Sequence, residues 1–392
     1  MRRFAITPRS DWVSRAEKYG FDFHSIGGVP YWDESVAYAF SMEQIEDHLE
    51  TATAEIEAMC SEIVDRACDD EEMLFSLGIP KEFHDLIRTS RKAGHASLYG
   101  RIDLAYDGVN PPKLYECNSD TPTSLLEAAV FQWTWLEDNV ADGVLPEASD
   151  QFNSIHERLI AAFPNVLPAG LIHLTGILEN PEDEATLRYL EDCAVQSGRA
   201  TKLIDIADIA LDLNGRLADD LDNPIDALFK LYPWEWLRDS AYKDSILDRR
   251  TRFLEPPWKA ITSNKALLPL LWKAFPGHPN LLPSFFEEDR VGINLCDEIS
   301  GTGSFVIKPI LSREGANIEI KDASGNDSIV TPGTYDGPRI VQAFAPLPSF
   351  DGFRPLIGSW TIAGEPAGIG IREDSGPVTG NLSRFIPHVI LP

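Results

Sequence analysis

The chain has 392 residues, 43% hydrophobic and 24% charged, which is the composition of a globular protein large enough for two or three lobes. Its 34 basic and 62 acidic side chains give a formal net charge of −28. Such a negative field repels nucleic-acid phosphates and anionic membranes, so we expect neither as a partner. An acidic surface can attract a cationic substrate, but it can equally reflect solubility or a salty habitat.

The N-terminal segment and the cysteines predict a cytoplasmic protein. MRRFAITPRSDW has two arginines with no apolar stretch behind them, and no run of the chain is long enough to span a bilayer. Cys60, Cys68, Cys117, Cys193 and Cys296 form no CxxC pair, and the histidines show neither HxH nor HExxH spacing. We therefore expect no disulfide framework, and any metal should be a hard cation with oxygen ligands.

The first part of the chain predicts a helix, a hairpin and a second helix. A long helix is expected over about 41–68, because Ser41 and Gln44 match a capping box and apolar residues follow at helical spacing. ASLYGRIDLAYDGVNPPKLYECNSD predicts two strands around a turn at DGVNPP. SLLEAAVFQWTWLEDNV then predicts a mostly buried helix.

From about residue 168 to 240 the pattern changes to a small α/β lobe. AGLIHLTGIL and ATKLIDIADI are apolar strands, and the helix between them begins at Asn180 and Pro181 and ends at Gly198. This order predicts a parallel pair with a right-handed crossover. No GxGxxG follows the first strand, so a dinucleotide site is not expected. The last third predicts short strands separated by turns.

Polar side chains alternate along both strands of the predicted hairpin. Glu116, Asn118 and Asp120 recur at every second position and should project from one face, as should Arg101 and Asp103 on the preceding strand. In an antiparallel pair these groups would meet. Carboxylate and amide oxygens suit Mg²⁺, and an arginine beside them can hold a phosphate. The same pattern also fits a solvated face with ordinary cross-strand ion pairs.

A lysine and a glycine-containing loop form a second candidate site. Lys308 interrupts the apolar strand SFVIKPIL, and burying an ammonium without a partner is costly. Ser312, Arg313, Gly315 and Asn317 follow in a short loop whose backbone N–H groups could close over phosphates. The loop lacks the GxxxxGK[ST] pattern of a P-loop, and a surface lysine before a turn gives the same sequence.

Two further features complete the candidate residues. Lys265 opens an apolar helix, near the positive end of its dipole, where a cation is unfavourable unless an anion binds there. Gly368 and Gly370 lie in a predicted strand before Arg372, which indicates either close approach of a ligand or strand curvature. Together the lysines, arginines, loop and oxygen ligands are the groups needed to hold a nucleoside triphosphate with Mg²⁺.

Several long segments resemble the synthetase domain of the glutathionylspermidine synthetase family, which belongs to the ATP-grasp superfamily. They are SLYGRIDLAYDG, LYECNSDTPTSLLEAA, FKLYPWEW, EPPWKAITSNKALLPLLW, VIKPILSREGAN and GIGIRED. The resemblance is to stand-alone acid–amine ligases without an amidase domain. It implies an α+β/α/β fold of the ATP-grasp type, with catalytic segments 1–145 and 346–392, a small α/β lobe over 146–245 and an ATP-binding lobe with a lid loop over 246–345.

The resemblance also implies a chemistry and roles for single residues. In the family, ATP phosphorylates an acid to an acyl phosphate, and an amine then displaces the phosphate to give an amide. By this likeness Asp103, Glu116 and Asn118 would bind two Mg²⁺ ions, and Arg101 and Arg372 would stabilise the transferring phosphoryl group. ATP would be held by Lys265, Lys308, Ser312, Arg313, Gly315 and Gln342. Thr121, with Asp120 beside it, falls at the glutathione-contacting serine.

Substrate recognition departs from the family pattern. Glu182 and Asp183 fall near the acidic pair that holds the polyamine in the family, with Asp in place of one Glu. Trp236 stands where the family has a glutathione-binding threonine, and Glu314 stands where the lid of the bifunctional enzyme has another residue. The resemblance therefore implies an ATP-dependent amide ligase for a small peptide or amino acid and an amine that need not be spermidine. A true glutathionylspermidine synthetase, a nucleotide-binding regulatory protein without turnover, and a hydrolase using Asp103 and Glu116 are the alternatives.

Overall fold

The computed structural model of the protein describes residues 1–292 and 303–392, so Cys296 lies outside the described residues. Its α-helices are α1 Trp12–Lys18, α2 Thr51–Asp69, α3 Glu71–Ser76, α4 Lys81–Lys92, α5 Gln132–Ala141, α6 Ile155–Val166, α7 Pro181–Gln196, α8 Trp234–Arg238, α9 Lys243–Leu247, α10 Lys259–Thr262 and α11 Leu267–Ala274. Gln44–Glu50 and Glu127–Phe131 are π-helical, and Ile206–Asp208 and Glu287–Gly292 are 3₁₀-helical.

The strands of the described residues fall into several sheets. They are β1 Arg2–Ala5, β2 Ser25–Ile26, β3 Val29–Pro30, β4 Val36–Phe40, β5 Tyr99–Ala105, β6 Lys113–Asn118, β7 Leu171–Gly176, β8 Ala200–Asp205, β9 Ala210–Leu211, β10 Leu217–Ala218, β11 Ala227–Lys230, β12 Arg252–Leu254, β13 Ser284–Phe286, β14 Phe305–Pro309, β15 Glu319–Lys321, β16 Asp327–Val330, β17 Arg339–Ala343, β18 Arg354–Ile362, β19 Glu365–Asp374, β20 Arg384–Ile386 and β21 His388–Ile390.

A five-stranded antiparallel sheet joins the first part of the chain to the last, in the order β20-β19-β18-β5-β6. The predicted hairpin is confirmed, because β5 pairs antiparallel with β6 and places Arg101 opposite Asn118 and Asp103 opposite Glu116. The predicted long helix packs on this sheet as the π-helical segment and α2. Its capping box forms, since the Gln44 N–H donates to Ser41 Oγ at 3.2 Å and the Ser41 N–H donates to Gln44 Oε1 at 3.1 Å.

The small lobe is a four-stranded parallel sheet in the order β12-β11-β7-β8, as the strand–helix–strand pattern predicts. Helix α7 begins where expected, because the Asn180 side chain accepts the Glu182 N–H at 3.0 Å. It ends before Gly198, whose φ of 86° belongs to the left-handed region. Strand β12, Arg252–Leu254, forms one edge of this sheet.

A second five-stranded antiparallel sheet, β13-β17-β14-β15-β16, carries Lys308 on β14 and Gln342 on β17. The predicted lid, residues 312–317, connects β14 to β15. A three-stranded sheet, β1-β4-β21, packs the two ends of the chain together. Within the described ranges, no helix is both long and apolar enough to cross a membrane.

Candidate active site

Two clefts adjoin between the β5–β6 hairpin and the lid. The nucleotide-side cleft lies between the hairpin and the β14–β17 sheet, and Lys265, Lys308 and Gln342 line it. The arginine-side cleft is lined by Arg101, Asn118, Thr121, Arg313 and Arg372 among others. Both clefts share five lining residues, Asp103, Glu116, Gly315, Leu356 and Thr379. We call this shared boundary the junction.

The hairpin gathers its polar groups on the face that forms the junction. Arg101 donates Nε to Asp103 Oδ1 at 2.7 Å and Nη2 to Asp103 Oδ2 at 3.1 Å. Asn118 Nδ2 donates to Asp103 Oδ2 at 2.9 Å and lies 3.5 Å from Glu116 Oε1. Gly358 on β18 leaves room for Arg101, because a Cβ there would lie 2.8 Å from its Cδ.

The charges around the junction keep Glu116 ionised. Burial opposes ionisation of Glu116, but Lys265 and Lys308 outweigh it and hold the pKa of this carboxyl down, at about 2. Burial raises the pKa of Asp103, and Arg101 opposes that effect. Lys265 Nζ lies 3.2 Å from Glu116 Oε2. The positive charges that compensate Glu116 therefore come from the lobe that carries the lid.

The donor set at the junction fits Mg²⁺. This ion takes one or two protein carboxylates and completes its shell with phosphate and water, and Asp103 and Glu116 supply two adjacent carboxylates. The Asn118 amide can turn its oxygen toward the same point, since its O and N positions differ only by a flip. The described residues hold no group of three or more His, Cys, Asp and Glu suited to a metal, so this set rests on two carboxylates and an amide.

Two lysines and an apolar wall shape the nucleotide-side cleft. Lys308 Nζ donates to Gln342 Oε1 at 2.8 Å and to the Tyr115 carbonyl at 3.1 Å, and burial lowers its pKa to about 8. Lys265 Nζ donates to the Ser312 carbonyl at 2.7 Å, at the start of the lid. Val306, Ile318, Ile320, Leu347 and Leu356 provide an apolar wall. Such a cleft can accept a flat base with its phosphates directed to the junction.

The lid reaches across to the small lobe. Arg313 Nη1 donates to Thr121 Oγ1 at 2.7 Å and Nη2 to Glu235 Oε1 at 2.8 Å, while the guanidinium lies 5.6 Å from the centre of the Trp236 ring. At Gly315 the backbone has a φ of 69°, and a Cβ would lie 2.8 Å from the Thr379 carbonyl oxygen. Only glycine fits there without displacing the neighbouring loop.

Arg372 is held by the loop that follows its own strand. Its Nε donates to the Ser383 carbonyl at 2.9 Å and its Nη2 to the Gly380 carbonyl at 3.0 Å, and the guanidinium lies 5.0 Å from the Tyr31 ring centre. This loop, residues 375–383, lines both clefts, yet no sequence motif pointed to it.

An acidic group lies beside Arg372. Burial and the neighbouring Glu182 raise the pKa of Glu127 to about 7, and the Tyr31 hydroxyl donates to Glu127 Oε1 at 2.7 Å. Burial also raises the pKa of Glu182 and, together with Glu182, that of Asp183 to about 6. Sequence reasoning missed Glu127 and Tyr31. A lone carboxylate in the apolar helix SLLEAAVF was the available signal for Glu127.

The expectation that Asp120 shares the face of Glu116 and Asn118 is wrong. Strand β6 ends at Asn118, and the Asp120 carboxylate turns into the protein, where 1% of the residue is exposed. It pairs with the fully buried Lys230 and accepts the Trp234 N–H at 2.8 Å. Asp120 thus ties the end of the hairpin to the small lobe, and it does not line either cleft.

Comparison with known proteins places the chain among ligases. The family model described as glutathionylspermidine synthase preATP-grasp matches residues 3–391. A protein of Haemophilus influenzae, provisionally named acid–amine ligase, is 39% identical over the whole length of both chains. Trypanothione synthetase of Crithidia fasciculata is 27% identical across 87% of this chain and 53% of its own. The bifunctional glutathionylspermidine synthetase/amidase of Escherichia coli is 25% identical across 89% and 58%.

The structural comparison supports the fold. A glutathione synthetase-like effector from Globodera pallida, solved in its apo form, superposes with a TM-score of 0.55 at 12% identity, covering 97% of this chain and 96% of that one. The predicted ATP-grasp type of fold is therefore confirmed at the level of overall architecture. The chain spans little more than half the length of the trypanothione synthetase and the bifunctional enzyme.

Proposed function

The chain belongs to the glutathionylspermidine synthase family and is an enzyme of the C–N ligase type, and from that premise we propose that it joins an acid to an amine with ATP and Mg²⁺. The reaction would proceed through an acyl phosphate. One observation carries the proposal: Asp103 and Glu116 form the boundary between a cleft lined by lysines and a cleft lined by arginines.

The nucleotide-side cleft would bind ATP. Lys308 and Lys265 are its two ammonium groups, and both would release their present partners to contact phosphate oxygens. Gln342 lies beside Lys308 in the same cleft and would lie near the adenine. Asp103, Glu116 and Asn118 would hold Mg²⁺, which when bound neutralises phosphate charge and orients the γ-phosphoryl group.

The arginine-side cleft would bind the acid. A carboxylate oxygen of the acid attacks the γ-phosphorus of ATP at the junction and forms a new P–O bond. At the same time the bond between the γ-phosphorus and the β–γ bridging oxygen breaks, and its electron pair leaves with ADP. Arg101 and Arg372 lie beside this point and stabilise the charge on the transferred group. Arg313 and Thr121 contact each other across the mouth of the cleft and would hold the rest of the acid.

The acidic group beside Arg372 would bind the amine. Glu182 and Asp183 would attract an ammonium. The amine nitrogen attacks the acyl carbon, the C–O bond to phosphate breaks, and phosphate leaves with the electron pair. The amine must lose its protons to react, and Glu127, whose pKa is about 7, is suited to accept one near neutral pH.

Release of ADP tests this function. Purified protein with ATP and Mg²⁺ is incubated with a panel of amino acids and small peptides, glutathione included, crossed with monoamines, diamines and polyamines. We expect ADP release to require one acid and to increase with one class of amine. If no pair stimulates release and ATP with Mg²⁺ does not raise the melting temperature, the proposal is wrong. Release with glutathione and spermidine alone would identify a true glutathionylspermidine synthetase.

A further inference from the structure

Asp120 and Lys230 form a buried ion pair that the proposed reaction does not use. Lys230 is fully buried at the end of β11, and Asp120 is 1% exposed in the segment after β6. The Lys230 ammonium donates to Asp120 Oδ1. An apolar pair of the same shape is often at least as stable, so stability alone does not explain why two charges are buried here.

The second oxygen of Asp120 fixes the start of α8. Asp120 Oδ2 accepts the Trp234 N–H at 2.8 Å, and Trp234 is the first residue of α8. An N–H group in the first turn of a helix has no partner within the helix, so this carboxylate satisfies it. The Lys230 ammonium also lies 4.6 Å from the centre of the Trp234 ring. Asp120 therefore holds the end of the hairpin against the start of α8.

The residues that follow Asp120 and Trp234 in the chain both bind the lid. Thr121 Oγ1 accepts Arg313 Nη1 at 2.7 Å, and Glu235 Oε1 accepts Arg313 Nη2 at 2.8 Å. The guanidinium is planar and its donors form a rigid fork, so the two acceptors must lie at a defined spacing. This spacing depends on the bond between Asp120 and Trp234, because each acceptor residue is covalently joined to one of them.

We propose that Asp120 is a positioning residue that sets the docking of the lid on the hairpin and α8, and thereby the recognition of the acid. The second part rests on the proposed ligase function, in which Arg313 and Thr121 hold the acid, whereas the docking itself does not. Asp120 lies outside both clefts and acts through its neighbours. A shift of the hairpin against α8 by about 1 Å would take one Arg313 bond beyond hydrogen-bond distance.

Two double variants that remove both charges test the role of the acceptor. In Asp120→Asn/Lys230→Met the amide oxygen can still accept the Trp234 N–H, whereas Asp120→Leu/Lys230→Met keeps a similar volume and offers no acceptor. We expect kcat/KM for the acid, measured by ADP release, to stay within about threefold of the wild type in the first variant. In the second it should fall about 10- to 100-fold, with KM for ATP changed by less than about threefold.

Hydrogen exchange of the lid measures docking without any turnover. The amides of residues 312–317 should exchange about tenfold faster in Asp120→Leu/Lys230→Met than in the wild type, and at nearly the wild-type rate in Asp120→Asn/Lys230→Met. Glu34→Gln is the matched control. Glu34 is 2% exposed, pairs with Arg9 at 2.9 Å and accepts the Arg9 N–H at 2.7 Å, but lines neither cleft. It should lower the melting temperature and leave lid exchange and KM for the acid unchanged.

The outcomes separate the inference from the function. If the two double variants behave alike, or if Glu34→Gln speeds lid exchange as much as Asp120→Leu/Lys230→Met, the ion pair only stabilises the fold and the inference is wrong. Faster lid exchange with unchanged kcat/KM for the acid would also overturn it, because docking would then not govern recognition. If the wild type releases no ADP with any acid while lid exchange separates the variants as expected, the proposed function fails and the docking role of Asp120 stands.

Discussion

The sheet β20-β19-β18-β5-β6 carries two buried ionic clusters, which differ in the origin of their positive charges. Glu373 on β19 is 1% exposed and accepts hydrogen bonds from Arg3 at 3.0 Å, from Tyr38 at 2.7 Å and from Arg384 at 2.6 Å. These partners lie on β1, β4 and β20, strands that pack the two ends of the chain together. We call these four residues the structural cluster.

The carboxylates of the junction have a different environment. Asp103 is neutralised by Arg101 of its own strand, but Glu116 depends on Lys265 and Lys308, which belong to the lobe that carries the lid. Both lysines line an open cleft and can exchange a protein partner for a ligand. Arg372 and Glu373 are adjacent in sequence yet serve opposite faces of the sheet. Glu373 thus has its positive partners on strands that close the chain on itself, whereas Glu116 is compensated by lysines of a cleft that can exchange partners.

The largest effect on turnover is expected when a carboxylate of the junction is removed. Glu116→Gln should lower ADP release about 1,000-fold, since it removes a carboxylate proposed to hold Mg²⁺. The free energy of unfolding should fall by about 2 kcal/mol or less, because Lys265 and Lys308 lose an anionic partner but line an open cleft where water can solvate them. Steady-state kinetics and urea unfolding measure the two effects. Unchanged turnover would rule out this residue as a metal ligand.

The opposite result is expected in the structural cluster. Glu373→Gln should lower the free energy of unfolding by about 3 kcal/mol, because Arg3 and Arg384 lose the carboxylate that neutralises them. Turnover per folded molecule should stay within about twofold of the wild type. Urea unfolding and kinetics at low temperature test this. A variant that unfolds normally but has lost turnover would show that the two clusters are not functionally separate.

Recognition of the amine should depend on pH. The pKa of Asp183 is raised to about 6 and that of Glu127 to about 7, so both gain negative charge as the pH rises from 6 to 8. A cationic amine keeps its charge over this range, and kcat/KM for the amine should therefore increase about tenfold. Asp183→Asn should flatten the lower part of this profile, while KM for ATP serves as the control. A flat wild-type profile would remove these carboxyls from amine recognition.

A smaller effect is expected in the structural part of the molecule. His388 on β21 is fully buried, and burial lowers its pKa to about 3, below the value of 6.5 expected in the unfolded chain. Between these values the unfolded state binds a proton that the native state does not, so stability is lost as the pH falls, by up to about 1.4 kcal/mol per pH unit. His388→Gln should show a shallower loss between pH 6.5 and 5 in urea unfolding. Equal slopes would contradict the assigned protonation state.

Local signals explain which parts of the fold were predictable. The capping box at Ser41 and Gln44, the helix start at Asn180 and the alternation of Glu116 with Asn118 depend on neighbours within a few residues, and all three features formed as expected. Asp120 could not be placed in this way. Its orientation depends on Lys230, which lies 110 positions away in sequence.

Contacts between residues far apart in sequence also explain which residues of the candidate site could not be found from the sequence. Thr379 meets Gly315 of the lid only because the loop after β19 packs against the lid in the folded chain. Glu127 and Tyr31 are also brought together by tertiary structure, and their spacing of 96 residues has no signature in a single sequence. The resemblance to a family supplied roles for single residues, but it did not indicate the loop that closes the junction.

Isotope transfer tests the central claim most directly. The acid that supports ADP release is prepared with ¹⁸O in its carboxylate and incubated with ATP, Mg²⁺ and the amine, and the released phosphate is examined by mass spectrometry. If the acid is phosphorylated at the junction and the amine then displaces phosphate, one ¹⁸O atom moves from the acid into each phosphate. Phosphate free of ¹⁸O, with amide formed at the same rate, would contradict the acyl-phosphate mechanism.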